Sequence, residues 1–255
     1  MYKKKSLGQH FLRDESDAKR IAHAFVLPEG VDTMLEVGPG QGALTRYLLE
    51  RPYELYLCEL DDRLVEWLPK HFPTLEGKII HSNFLKAELK ELPNQFGLVG
   101  NFPYNISTQI VFRTLELKHR IPLMIGMFQK EVARRICAPH GSKEYGVTSV
   151  LTQVFYQTDY LYEFPPEAFD PPPKVHSSVI RLTHRNRVDA PDEGALRTVV
   201  KSAFNLRRKK MRNALSGIFS KEILAEPLFD RRAETLSVVE FEELAERLVE
   251  YNSKK

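Results

Sequence analysis

Four consecutive residues carry the most chemical character in this 255-residue chain: Asn101, Phe102, Pro103 and Tyr104. They follow the apolar run 96–99, so a strand is expected to end there and open into a stiffened, exposed loop. Such a loop suits a flat ring that bears an amine. The Asn101 side-chain carbonyl and the backbone carbonyls flanking Pro103 accept hydrogen bonds from the amine, while Tyr104 stacks on the ring. The plainer reading is a strand-to-turn corner with a buried tyrosine, and the tetrapeptide alone leaves both open.

A second corner is Gly38-Pro39-Gly40-Gln41-Gly42, between an expected strand at 33–37 and a helix at 43–49. Glycines let the backbone approach a ligand, and the helix start offers free N–H groups. Gly38, Gly40 and Ala43 satisfy the loose dinucleotide pattern. Glu36 placed two residues before Gly38 instead fits a ligand ending in a cationic amino acid. A carboxylate attracts an ammonium and repels a pyrophosphate, so the corner points toward S-adenosylmethionine.

These corners need a sheet to hold them. A strand at 54–58 ends at Glu59, an acid placed to grip ribose hydroxyls, whereas Asp61 fits a helix cap. A strand at 78–81 runs into Asn83 and Phe84, where the amide meets an adenine edge with the aromatic beside it. The strand at 96–100 delivers the Asn101 loop. Parallel strands gather their carboxyl ends at one crevice, so Glu36, Glu59, Asn83 and Asn101 converge there.

The remaining elements are simpler. Near the start, Phe11 and Leu12 read as a hydrophobic staple for a helix capped by Asp14 or Ser16, with Ala18, Ile21, Ala22 and Phe25 on one face. Beyond the loop, a helix is expected at 107–117, a strand at 123–127, a helix at 131–136 and a late strand at 147–156. The proline-dense stretch 164–175 reads as a rigid extended loop presenting Phe169, as a plain linker or as a second ring facing Tyr104. A strand at 178–182 closes the series. The polar break at 184–193 divides the chain into a larger domain, 1–185, and a small helical domain, 186–255.

A net charge of +3 does not by itself announce a nucleic-acid partner. Its distribution says more: Lys3, Lys4 and Lys5 form one cluster, and Arg207, Arg208, Lys209, Lys210 and Arg212 form another, read as a basic helix for phosphates. Cys58 and Cys137 lack metal or redox spacing and read as reduced core residues, and no metal is expected. No apolar run approaches a membrane span, and the basic start lacks the apolar stretch of a signal peptide. The cytoplasm is the expected compartment.

Taken in order, Gln9-His10-Phe11-Leu12, residues 36–42, Glu59, residues 101–104 and residues 169–177 resemble the ribosomal RNA adenine N6,N6-dimethyltransferase family over nearly the whole chain. Residues 203–215 and 232–237 resemble its small-subunit branch. The fold this implies is α/β, a Rossmann-like class I S-adenosylmethionine-dependent methyltransferase with a small C-terminal helical domain. The resemblance assigns Gln9, His10, Leu12, Glu36, Gly38, Gly40, Glu59, Leu60, Asn83, Phe84 and Asn101 to the cofactor. It assigns Asn101, Tyr104 and Phe169 to the target adenine, and Arg207, Arg208, Lys209, Lys210 and Arg212 to RNA. Asn83 departs from the family's usual acid; its carbonyl can accept the same bond, so a weaker grip is expected.

The implied reaction transfers methyl groups to N6 of two adjacent adenines in a hairpin loop near the 3′ end of 16S RNA, on an immature small ribosomal subunit, by a monomer. A base inside a helix cannot reach the site, so a loop or a flipped base is required. Three alternatives remain: the large-subunit, antibiotic-resistance branch; a docking factor without chemistry; and a nicotinamide-dependent dehydrogenase, which has no use for residues 101–104 or the Arg207 cluster.

Overall fold

Short apolar runs that must be covered on both faces pair best in a parallel sheet with helices between them. A computed structural model describes residues 11–206 and 208–254, and of Phe11 only the backbone. Its strands are β1 (Phe11–Leu12), β2 (Thr33–Val37), β3 (Glu54–Glu59), β4 (Ile79–His81), β5 (Gly97–Asn101), β6 (Leu123–Gln129), β7 (Tyr156–Phe164), β8 (Phe169–Asp170) and β9 (Ser177–His184). The helices are α1 (Glu15–Ala24), α2 (Thr45–Leu48), α3 (Asp62–His71), α4 (Ser107–Glu116), α5 (Lys130–Cys137), α6 (Val147–Phe155), α7 (Glu193–Asn205), α8 (Met211–Ala214), α9 (Lys221–Leu224) and α10 (Val238–Ser253).

Seven strands form one sheet in the order β4-β3-β2-β5-β6-β9-β7. The pairings β2 to β3, β2 to β5, β3 to β4 and β5 to β6 are parallel, and β9 lies antiparallel to β6. The order reverses between β2 and β5, which is where open parallel sheets of this kind hold ligands. Every residue of β2 is buried. Leu123, Ile125 and Met127, alternating along β6, join Ala18, Ile21, Phe25, Leu48, Leu64 and Leu68 in one apolar cluster, so helices α1 to α3 share that core. Asp14 and Asp61 cap α1 and α3 through the N–H groups of Ser16 and Arg63, at 2.8 and 3.2 Å.

By contact the chain separates into two compact units, residues 1–133 with 159–184 and residues 134–158 with 185–255. The second unit therefore takes a segment that the sequence reading, with its boundary after residue 185, left in the first. In that unit α6, α7 and α10 pack on one another, and Phe204 lies 6.0 Å from the Tyr145 ring and 5.7 Å from that of Phe241. The expected strand at 147–156 is instead helix α6. The loose alternation of the segment reads as a strand, but Val147, Val150, Leu151, Val154 and Phe155 also recur at spacings of three and four, and packing on nearly every side holds the segment as a helix. The strand begins only at Tyr156. At the start of the described chain, β1 pairs with β8, placing Leu12 opposite Phe169, while Leu12 also packs on the apolar cluster that takes in the inner face of α1. Among the described residues no helix is long and apolar enough to cross a membrane.

Arg120 makes most of the side-chain bonds that hold the later part of the connection from β4 to β5. Arg120 donates from Nη2 to the carbonyls of Leu89, Leu92 and Pro93 at 3.0, 3.3 and 3.0 Å, and from Nε to Asn94 at 3.4 Å. Its guanidinium also lies 5.2 Å from the centre of the Phe96 ring, just before β5. Arg120→Ala leaves these partly buried carbonyls to water and is expected to cost about 1–3 kcal/mol, read as a lower denaturant midpoint with an unchanged slope.

Candidate active site

The carboxyl ends of β2, β3, β4 and β5 open onto a cavity of about 200 Å³. Leu12, Glu36, Gly38, Gly40, Glu59, Leu60, Asn83, Phe84, Asn101 and Tyr104 all line it. Ten of the residues singled out in the sequence therefore meet in one place. Gln9 and His10 lie outside the described residues. Phe169 is a correction: it is fully buried within the apolar cluster and does not line the cavity, because β8 packs it inward beside β1.

Gly38 and Gly40 take φ values of +69° and +57°, which side chains rarely adopt. They turn the chain sharply out of β2 and put bare backbone along the cavity wall. On that strand Glu36 is buried, and Thr45 Oγ1 donates to its Oε2 at 2.6 Å. Burial pushes the Glu36 carboxyl from the ordinary 4.5 up to about 8; the Thr45 bond opposes the rise and the charge of Glu59 adds to it. That shift favours the neutral form of Glu36 at neutral pH, joined to the start of α2 through Thr45.

Glu59 has the opposite design. The N–H groups of Leu60 and Asp61 donate to its Oε1 at 2.7 and 2.9 Å. Burial raises its pKa, and these bonds together with the Gly40 amide pull it down. Beside it Leu60 is 52% exposed although it lines the cavity; an apolar side chain kept at such a lip is available to a flat ring. Asn83 Oδ1 accepts from the Leu85 N–H at 3.0 Å, so its carbonyl, expected to face a ligand's amine, already serves the turn. Cys58 also lines the cavity; burial lifts its thiol to about 12, which keeps it unreactive.

The Asn101 loop is anchored by a residue whose role the sequence concealed. Phe102 is buried, with its ring 5.3 Å from that of Phe128. A methyl group on Gly100 or Gly126 would come within 2.7 or 2.2 Å of that ring, so both must stay bare. A glycine two residues before the aromatic and another in the middle of β6 were the available signal. Past the anchor, Pro103 O accepts from the Ile106 N–H and Tyr104 O from the Ser107 hydroxyl, each at 3.1 Å. The Phe102 carbonyl accepts from no group among the described residues, which leaves it for a ligand. Tyr104 is half-buried and its phenol pairs with the Ser177 hydroxyl. Burial raises the phenol's pKa, and the Ser177 bond opposes that rise.

The basic cluster lies in the second unit. Arg207 is outside the described residues, and positions 208–210 form a turn rather than the expected helix, since α7 ends at Asn205 and α8 begins at Met211. Lys210 and Arg212 both pair with Asp230, at 2.7 and 2.6 Å. Arg208 and Lys209 are exposed and pair with no carboxylate among the described residues.

The family described as "Ribosomal RNA adenine dimethylase" matches residues 1–254. Proteins named "Ribosomal RNA small subunit methyltransferase A" are similar throughout. That of Cytophaga hutchinsonii is 49% identical over 96% of both chains, and that of Flavobacterium johnsoniae 49% identical over 96% of this chain and 95% of its own. Among solved structures, a dimethyladenosine transferase from Plasmodium falciparum superimposes with a TM-score of 0.80 over 96% of this chain and 98% of its own, at 21% identity. The 23S rRNA methyltransferase ErmE gives 0.73 over 94% and 99%, at 26% identity. The fold is thus the Rossmann-like class I arrangement.

A buried acid neutral in the folded chain and ionised in the unfolded one favours folding below pH 4.5, and that advantage is lost as pH rises toward about 8. Glu36→Gln keeps the acceptor for Thr45 without the titration. Its thermal midpoint is expected to fall less than that of the unaltered protein between these two pH values, as followed by circular dichroism.

Proposed function

The chain belongs to the ribosomal RNA adenine dimethylase family, and from that premise we infer that its cavity holds S-adenosylmethionine against an adenine of small-subunit ribosomal RNA, which it dimethylates at N6. The observation that carries this reading is the meeting of Glu59 and the Asn101 loop at one cavity. The small-subunit branch is favoured over the large-subunit one by identity, at 49% against 26%.

The cavity's chemistry fits the cofactor. Glu59 lines the cavity with its Oε1 held by the Leu60 and Asp61 N–H groups, an acceptor suited to a ribose hydroxyl. Leu60 and Phe84 offer apolar surface to the cofactor's adenine, and the bare backbone at Gly38 and Gly40 admits its amino-acid end. When bound, the cofactor supplies a methyl group already activated on a sulfonium.

The chain's own part is to hold the acceptor. The adenine amine is a weak nucleophile because its lone pair is delocalised into the ring. The Asn101 side-chain carbonyl and the Phe102 carbonyl accept its two hydrogens and favour a more tetrahedral nitrogen. Tyr104 supplies the stacking face. Phe169 is not offered to a base in this arrangement, and we assign the stack to Tyr104 alone. Alkylation makes N6 strongly acidic, so no dedicated base is needed, and rate comes from alignment in a dry pocket. In this reading Arg208 and Lys209 grip phosphates of a hairpin near the 3′ end of 16S RNA, the protein working as a monomer on immature small subunits in the cytoplasm.

Labelled methyl transfer to unmethylated small ribosomal particles is expected to yield N6,N6-dimethyladenosine in small-subunit RNA only, and Asn101→Ala is expected to lower the rate by about 10²-fold or more. Label in large-subunit RNA moves the protein to the other branch, and particle binding without label leaves a docking factor. Replacing Arg208 and Lys209 by Glu is expected to weaken particle binding and to flatten its salt dependence by roughly one unit of log–log slope per lost phosphate contact, with cofactor affinity unchanged by calorimetry.

A further inference from the structure

We propose that Ser177 is a positioning residue for methyl transfer, acting through the hydroxyl bond that fixes the Tyr104 ring. The proposal rests on the reading of Tyr104 as the base-holding ring and adds a residue that does not line the cavity. Ser177 is fully buried at the start of β9, where it sits opposite Gln129 at the end of β6. Its hydroxyl meets the Tyr104 phenol across 73 residues of sequence. A half-buried tyrosine needs a partner for its hydroxyl, and the direction of that bond sets the tilt of the ring. With Ser107 holding the Tyr104 carbonyl at 3.1 Å, the residue is pinned at both its backbone and its ring tip.

Ser177 is itself held on both sides. The carbonyl of His176 accepts from the Lys130 N–H at 2.9 Å, and His176 Nδ1 lies 3.2 Å from Glu163 Oε1. Glu163 also pairs with Lys130 and accepts from the Tyr160 hydroxyl at 3.2 Å, while that hydroxyl bonds Ser178 Oγ at 2.5 Å. The flanking residues His176 and Ser178 are thus tied to one carboxylate, Ser178 through the Tyr160 hydroxyl. A ring ordered before the base arrives spares the entropy of ordering it during binding.

The test is a double-mutant cycle on methyl transfer to small ribosomal particles. Ser177→Ala and Tyr104→Phe are each expected to lower kcat/KM by about tenfold, and the double variant no further, because one bond is lost in all three. Ser177→Thr should retain most activity, while the cofactor affinity of Ser177→Ala stays at its original value. Full kcat/KM in Ser177→Ala overturns the proposal; so do losses that multiply in the double variant, or a fall in cofactor affinity matching the fall in kcat/KM. Tyr104→Ala separates the two claims. If it keeps full activity, the base-holding reading fails and this proposal with it; if it is impaired while Ser177→Ala is not, only the positioning role falls.

Discussion

The Phe102 ring occupies the space that side chains at positions 100 and 126 would need, and the reactive loop takes its place from that steric fact. Two parallel strands, β5 and β6, stay bare at Gly100 and Gly126 so that one aromatic can sink between them and the Phe128 ring. Sinking Phe102 turns its neighbours the other way. Asn101 and Tyr104 are left lining the cavity, and the Phe102 carbonyl keeps no partner among the described residues. Pro103 between them removes a donor and fixes its own φ. The motif therefore works as an anchor with functional groups on either side, which differs from a loop held out in water.

Electrostatics divide the labour between two acids that approach the same cavity. Glu36 is buried with one hydroxyl donor and stays neutral at neutral pH; Glu59 is compensated by backbone amides that favour its charge. The charge of Glu59 adds to the rise that burial imposes on Glu36.

The cavity lies within the first unit, whereas Arg208 and Lys209 belong to the second. Lys210 and Arg212 share Asp230, so the cluster is less positive than its sequence suggests. Exposed ion pairs of this kind contribute little to stability, and their use is to fix the turn that presents the two unpaired cations.

What the sequence determined by itself was the set of strand ends. Thr33–Val37 has the bounds read from its apolar run, Glu59 and Asn101 end strands, and the glycines and Asn83 follow them; parallel pairing makes such strand ends converge whatever lies between them. Local cap chemistry was legible too, at Asp14 and Asp61. Tertiary structure decided the rest. Residues 147–155 became a helix because burial on nearly every side outweighs their local strand-like pattern. Phe169 went to the core because β1 and β8 pair, a contact between residues 157 positions apart that no local pattern encodes. Glu36 lost its charge through burial, and Ser177 met Tyr104 across the sheet. Short-range spacing names the groups that can act, but their protonation and partners depend on neighbours that only the folded chain supplies.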